Sequence, residues 1–366
     1  MIQINIDCEG PITQNDNAFE LCEEFIPKGG EFFARISRYD DYLADVEKRP
    51  GYKAGDTLRL ILPFLKAYGA TNRMIEEFSQ KSLSLLPDAG PMLQRLTTIG
   101  PTFIISTSYR PYLKALAKTV DFPLERIYCT DINMNGFKPE TYEVNRIKDI
   151  AGEITDMPLL SWHKKMPGGE EIIDEEKVLT LKRLDAIFWQ EIPAMKIGQA
   201  FAGVNPVGGN EKAKAVEDSL KKTGLGLSDV IYIGDSITDV QVLKIVKQGG
   251  GVAISFNGNG YAIKEANIAL IGESPFIIAA IVWLINLKGK EAVSDILSDK
   301  GFLAGESLVI ALKKNGLEGD YIEPLLARCK TLQLFKQDRL SDIADLIHRS
   351  ERMRKIVRGL RVGALG

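Results

Sequence analysis

Ile2, Ile4 and Ile6 alternate with Gln3 and Asn5, the period of a β-strand with one apolar face. The period then changes. Between residues 16 and 86 apolar positions recur every three or four residues, in "AFELCEEF", "YDDYLADVEK", "DTLRLILPFLKAYG" and "NRMIEEFSQKSLSLL". This predicts a helical block, punctuated by Pro27-Lys28-Gly29-Gly30 and Pro50-Gly51. "AGPMLQRLTTIG" (89–100) predicts an amphipathic helix and "PTFIISTS" (101–108) an apolar strand ending in hydroxyls. "RPYLKALAKTVD" reads as a helix and "ERIYCTDI" (125–132) as a third strand. Residues 136–200 mix charge with Pro158 and Pro167-Gly168-Gly169 around one helix, "DEEKVLTLKRLDAIFW", and read as an insertion. Further on, "NEKAKAVEDSLKKTG" (210–224) is a helix stopped by Gly224, and "DVIYIGDSITDVQVLKIV" a strand, a loop and a helix. "GGVAISFNG" and "IALIGE" are two further strands, with the helical turn "GYAIKEA" between them. From about residue 288 the chain reads as helical and charged.

Strands alternating with helices, the later strands being short continuous apolar runs, imply a parallel sheet covered on both faces. The expected fold is a doubly wound α/β core built from 1–15 and 88–287, with an insertion at about 136–204. A helical cap would span 16–87 and a helical C-terminal extension 288–366. The first strand, with Gln3 and Asn5, fits a buried position less cleanly. Among 366 residues, 45% are apolar and 26% charged, which supports a packed core. A net charge of −3 gives no general reason to expect nucleic-acid binding. Cys8, Cys22, Cys129 and Cys329 form no CxxC pair and the histidines are His163 and His348, so reduced thiols are expected and a zinc site is not. The most apolar stretch, "PFIIAAIVWLINL" (275–287), falls short of the roughly 20 residues a bilayer span needs and predicts a buried helix. No leader segment is read, and a cytoplasmic protein without a transmembrane segment is expected.

The candidate chemistry lies at strand ends. The first strand runs into Asp7 and Glu9 before Gly10-Pro11 turns the chain, and "IYIGDSITD" ends in Asp235 and Asp239. In a parallel sheet the functional crevice lies at the carboxyl ends of the strands. If these two strands are neighbours, four carboxylates converge, and a hard divalent cation with oxygen ligands, Mg²⁺, offsets their repulsion. Ser106, Thr107 and Ser108 end another strand, and Lys212 or Lys214 supplies a cation; two residues apart on a helix they point about 200° apart, so one of them faces the site. Together these are the parts of a phosphate site. The metal, a lysine and a hydroxyl hold oxygens, one carboxylate attacks phosphorus, and a second acid protonates the leaving oxygen and later activates water.

Taken in order, these motifs resemble the haloacid dehalogenase (HAD) superfamily of phosphohydrolases, closest in layout to its phosphoserine phosphatase-like members. The resemblance covers roughly 1–135 and 205–275. It implies Asp7 in "DCEGP" as nucleophile and Glu9 as acid/base, with its backbone carbonyl also on Mg²⁺. It further implies Ser106, with Thr107 beside it, and Lys212 as phosphate-binding residues, and Asp235 and Asp239 of "GDSITD" as metal ligands with Asp7. The "DCEGP" start and the C-terminal extension further resemble an archaeal branch, some members of which carry the label energy-converting hydrogenase A subunit R. The chain departs from the family pattern at Glu9, where family phosphatases have Asp, and at Pro11, where they have Thr; Thr13 is an approximate substitute. Three readings of Glu9 stay open: a repositioned acid/base, an impaired one in a phosphate-binding or sensing protein, or a different reaction through Asp7. The function expected is Mg²⁺-dependent hydrolysis of a small phosphomonoester. The alternative is a catalytically impaired accessory or regulatory subunit that docks on a protein partner through the extension.

Other residues have bland readings beside functional ones. Asn257 in "SFNGNG" either touches the site or makes a turn. Arg110 either meets an anionic group or sits at the surface. Arg35, Arg38 and Arg49, with Phe32, Phe33, Tyr39 and Tyr42, belong to the cap and read first as its core. His163 beside Trp162 reads as structural. The basic tail 348–366, with Arg352, Arg354, Arg358 and Arg361, has an apolar face (Met353, Ile356, Val357, Leu360) and reads first as a helix packed on its own domain.

Overall fold

The computed structural model describes residues 1–164, 171–297, 301–337 and 342–364; the Pro167-Gly168-Gly169 turn signal lies outside them. The strands are β1 (Gln3–Ile6), β2 (Thr102–Tyr109), β3 (Ile127–Thr130), β4 (Trp162–Lys164), β5 (Glu171–Ile173), β6 (Val230–Gly234), β7 (Val252–Phe256), β8 (Ile268–Ile271), β9 (Phe302–Ala304) and β10 (Gln333–Lys336). Eight of them form one sheet in the order β3-β2-β1-β6-β7-β8-β10-β9, with β3 to β8 parallel and β10 antiparallel to both neighbours. This is the doubly wound α/β core. The chain winds from β1 to one side through β2 and β3, then returns to β1's other edge as β6 and continues outward. Ile6 is in register with Ile104 of β2 and Ile233 of β6, so the residues that follow all three emerge at one edge of the sheet.

β1 is central although half of it is polar. Gln3 and Asn5 are fully buried and face the helix Asn210–Thr223. Gln3 Nε2 donates to Asn5 Oδ1 and to Ser219 Oγ (2.9 and 2.8 Å), Asn5 Nδ2 donates to Ser219 Oγ (3.1 Å), and the Thr223 hydroxyl donates to Gln3 Oε1 (2.6 Å). The polar alternation is thus satisfied inside the protein, which removes the penalty of burying it.

The C-terminal segment is not helical throughout, as the patterning implies. β10 adds to the free edge of β8 and β9 to β10. The strand "QLFK" is completed by the backbone groups that β8 would otherwise leave open. Leu308, Val309, Leu312, Leu317, Leu325, Leu332 and Leu334 from this segment enter the main core, beside the buried helix Phe276–Lys288.

A second hydrophobic core lies in a helical layer. It joins residues of helices Asn17–Phe25, Gly29–Asp41, Thr57–Ala67 and Asn72–Ser82 with Ile147, Ile150, Ile154, Leu184, Ile187, Phe188 and Ile197. Residues from the 136–204 stretch and from the 16–82 block therefore share one interior. The small hairpin β4–β5 belongs to this stretch, with His163 Nδ1 against Asp174 Oδ1 at 2.7 Å. Among the described residues no helix is long and apolar enough to cross a membrane.

Candidate active site

Asp7 leaves β1 at the sheet's carboxyl edge, where its backbone N–H donates to Ile233 O of β6 (2.9 Å). Asp235 and Asp239 follow β6, and one oxygen from each of the three acids lies within 4.8 Å of the others. Lys212 is fully buried on the helix Asn210–Thr223 and bridges two of them, donating to Asp7 Oδ2 at 2.5 Å and to Asp239 Oδ1 at 2.7 Å. Asp239 also accepts from the Tyr232 hydroxyl (2.7 Å) and from the N–H groups of Asp235 and Ser236 (3.0 and 3.1 Å), which fixes the loop after β6. Burial would raise the Asp239 carboxyl, but Lys212 and these hydrogen bonds hold it below its ordinary value. Burial pushes Asp7 up to about 8, with Asp239 and Asp235 adding to the rise and Lys212 only partly opposing it.

Gly10 makes room for this cluster. Its φ is +100°, and a Cβ there would come within 2.1 Å of Asp235 Oδ2. The loop 8–13 folds back on itself, with Thr13 buried and its N–H donating to Cys8 O at 3.0 Å.

Glu9 lines the same cavity as Asp7 from a different position. Its Oε1 accepts from Asn17 N–H (2.8 Å) at the start of helix Asn17–Phe25. The Glu9 carboxylate is not part of the three-acid group. Burial, and then the neighbouring Asp16, push it up to about 8, opposed in part by Arg358. Ser106, Thr107 and Ser108 lie along β2 beside Asp7. Ser106 Oγ accepts from Ser108 N–H (3.2 Å), while Thr107 Oγ1 is buried without a hydrogen-bond partner among the described residues. These groups line a cavity of about 100 Å³ between sheet edge and helical layer, roofed by Phe33, Ser37, Asp40, Asp41, Thr57 and Leu58.

Two residues at this site escape sequence reading as site residues, Arg354 and Arg358, on the helix Ile343–Arg358. Arg354 is ion-paired to Asp235 Oδ2, and Arg358 Nη1 lies 3.4 Å from the same oxygen. Both line the cavity. In the sequence they are two of several arginines in a basic tail, and only their four-residue spacing sets them on one helix face.

The remaining candidates resolve simply. Lys214 is exposed and pairs with Glu211 (2.7 Å). Arg110 pairs with Asp131 at the surface (2.9 Å). Asn257 ties the loop after β7 to the residue that follows β8, donating to Gly272 O and accepting from Gly272 N–H (2.8 and 3.0 Å). Arg35 and Arg38 donate to Met157 O and Leu160 O and Arg49 to Asp185, so these arginines tie the two parts of the helical layer together rather than lining the cavity. Phe32, Phe33 and Tyr39 are in that layer's core.

The donor set fits a divalent cation of the Mg²⁺ class. Three buried carboxylates offer oxygen alone, close enough to share one ion.

No family model matches the chain, and no curated protein is similar to it. Among solved structures, a phosphoserine phosphatase in its apo form aligns at 12% identity with a TM-score of 0.42, over 73% of this chain and 92% of that one. A substrate-bound phosphoserine phosphatase complex aligns at 12% identity and a TM-score of 0.40, over 73% and 91%. Gene product AF1437 from Archaeoglobus fulgidus aligns at 27% identity with a TM-score of 0.79, over 100% of this chain and 99% of that one. The likeness to the Archaeoglobus protein runs from end to end, so core, helical layer and C-terminal segment form one shared architecture.

Proposed function

We propose that this protein is a Mg²⁺-dependent phosphohydrolase of the HAD type that acts on a small phosphomonoester through an aspartyl-phosphate. The observation that carries this reading is the arrangement of Asp7 at the end of the central strand, with Lys212 at 2.5 Å and two further aspartates converging on it. Asp7, Asp235 and Asp239 are the residues that would hold the cation. When bound, it neutralises phosphoryl charge and lowers the proton affinity of Asp7.

The chain's own groups supply the rest. An ionised Asp7 oxygen attacks phosphorus, the new O–P bond forming as the bond to the leaving alcohol breaks. Glu9, held up to about 8 and therefore protonated near neutrality, gives its proton to the leaving oxygen. The same carboxylate then takes a proton from water as the water attacks phosphorus, which cleaves the acyl phosphate and restores Asp7. Lys212, Ser106 and Thr107 hold the phosphoryl oxygens, and Thr107 Oγ1 is a hydroxyl still in need of a partner. The helical layer, 16–87 together with the 136–204 insertion, serves as the cap.

Asp7→Asn is expected to abolish metal-dependent hydrolysis of a generic aryl phosphate and of a panel of small phosphomonoesters while leaving the thermal melt in place. Retained turnover in that variant, or turnover unaffected by excess chelator, would remove the nucleophile or the metal from this reading. The alternative of a docking subunit is less favoured because residues from 302–337 and 342–358 pack on this chain's own sheet and site.

A further inference from the structure

Arg354 and Arg358 bring two cations into a cavity whose acids already need a metal. The Arg354 side chain is 5% exposed and that of Arg358 4%. Both reach one oxygen, Asp235 Oδ2, on a residue of the proposed metal set. A single carboxylate oxygen cannot serve two guanidinium groups and a divalent cation equally well, since the cations repel one another at that distance. Both guanidiniums are nearly buried in the cavity, which Glu9 and Asp16 also line. Ser350 Oγ donates to Gly258 O (2.7 Å), and Arg358 itself donates through Nε to Gln14 O (3.2 Å) and through Nη2 to Asn15 O (2.6 Å). The helix thus stays seated while its arginines lose Asp235. Asp16 and Glu9 remain beside the arginines in the same cavity, and a phosphoryl group entering there would bring the charge that Asp235 gives up to the cation. The cavity that both arginines line also holds Asp7, Ser106 and Thr107, and the planar fork of arginine matches phosphoryl oxygens.

We propose, resting on the phosphohydrolase reading, that Arg354 and Arg358 are a substrate-binding pair: they rest on Asp235 in the metal-free protein and transfer to the phosphoryl oxygens once a divalent cation takes that carboxylate. Metal and phosphate binding are then linked through the C-terminal helix.

Calorimetric titration of the full-length protein with MgCl₂ and with inorganic phosphate, each alone and in the presence of the other, tests this. In the wild type phosphate should tighten Mg²⁺ binding about tenfold or more, within the usual range of coupling between sites. In Arg354→Gln and Arg358→Gln, Mg²⁺ alone should bind at least about fivefold more tightly, because a competing cation is gone, and the coupling factor should shrink by at least about fivefold. A purely structural role for the arginines would not tighten metal binding. Thermal melts identify a variant that fails to fold, in which case the other variant carries the test. Unchanged Mg²⁺ affinity and coupling in a folded variant would overturn the proposal while leaving the hydrolase reading intact. A wild-type protein that binds neither Mg²⁺ nor phosphate, and hydrolyses nothing, would overturn both.

Discussion

Asp41 shows how burial alone sets the behaviour of a single group. It is 7% exposed in the roof of the cavity, and burial, with Asp40 adding to it, pushes its carboxyl up to about 8 against the opposing charge of Arg38. The folded protein therefore holds a proton there that the unfolded chain, with an ordinary carboxyl near pKa 3.9, releases. This contribution to stability is fully present below about pH 4 and is lost as pH rises toward about 8. Asp41→Asn, which stays neutral, is expected to be about 1–3 kcal/mol more stable than the wild type at pH 8, with the difference shrinking toward pH 4. Urea unfolding at both pH values checks this, and an equal or less stable variant at pH 8 would show that the carboxylate is paid for by neighbours. At the same scale Asp7, Glu9, Asp235 and Asp239 stand out in the sequence because each follows an apolar run that ends abruptly. The two arginines have no such signal.

At the scale of elements, the contact between β1 and the helix Asn210–Thr223 brings Asp7 and Lys212 together. Its register depends on Ser219, whose hydroxyl accepts from both Gln3 and Asn5. Ser219→Ala leaves two buried amides short of an acceptor, and is expected to cost about 1–3 kcal/mol in stability by the shift of the urea midpoint. A loss below about 0.3 kcal/mol would mean that the amides find other partners. Most core elements follow from local pattern: the strand in "FIISTS", the strand in "VIYIG", and the helix ended by Gly224 at φ +71°. β9 and β10 do not, because they form where β8 offers an edge still to be paired.

For the whole molecule, the feature that matters is enclosure. The cavity measures about 100 Å³, small beside the roughly 300–1,000 Å³ of sites for drug-sized ligands, so on the proposed phosphohydrolase reading the helical layer is expected to move from the sheet edge as substrate enters. The segments joining the 16–82 block to the sheet are residues 8–16 and 83–88, and Arg358 grips the first of them through Gln14 O and Asn15 O. Hydrogen exchange in residues 10–16 and in the helix Gly29–Asp41 is expected to slow severalfold when Mg²⁺ and phosphate are added together, while β6 and β7 stay protected throughout. Equal exchange with and without ligands would argue for a rigid cavity instead.

The sequence alone determined the order of strands and helices in the core, because hydrophobic period, glycine stops and apolar runs are local properties. It also marked the strand-end acids, the hydroxyl run and Lys212, since a crevice at the carboxyl ends of parallel strands follows from the fold class. Tertiary structure decided what depends on distant parts of the chain meeting. The two helical insertions share one core because each leaves an apolar face that only the other covers. Gln3 and Asn5 are tolerated in the central strand because a serine more than two hundred residues away accepts their hydrogen bonds. Arg354 meets Asp235 because the sheet edge completed by β10 leads the last helix back across the site. No local pattern encodes contacts of that range, since they depend on packing energy summed over the whole core.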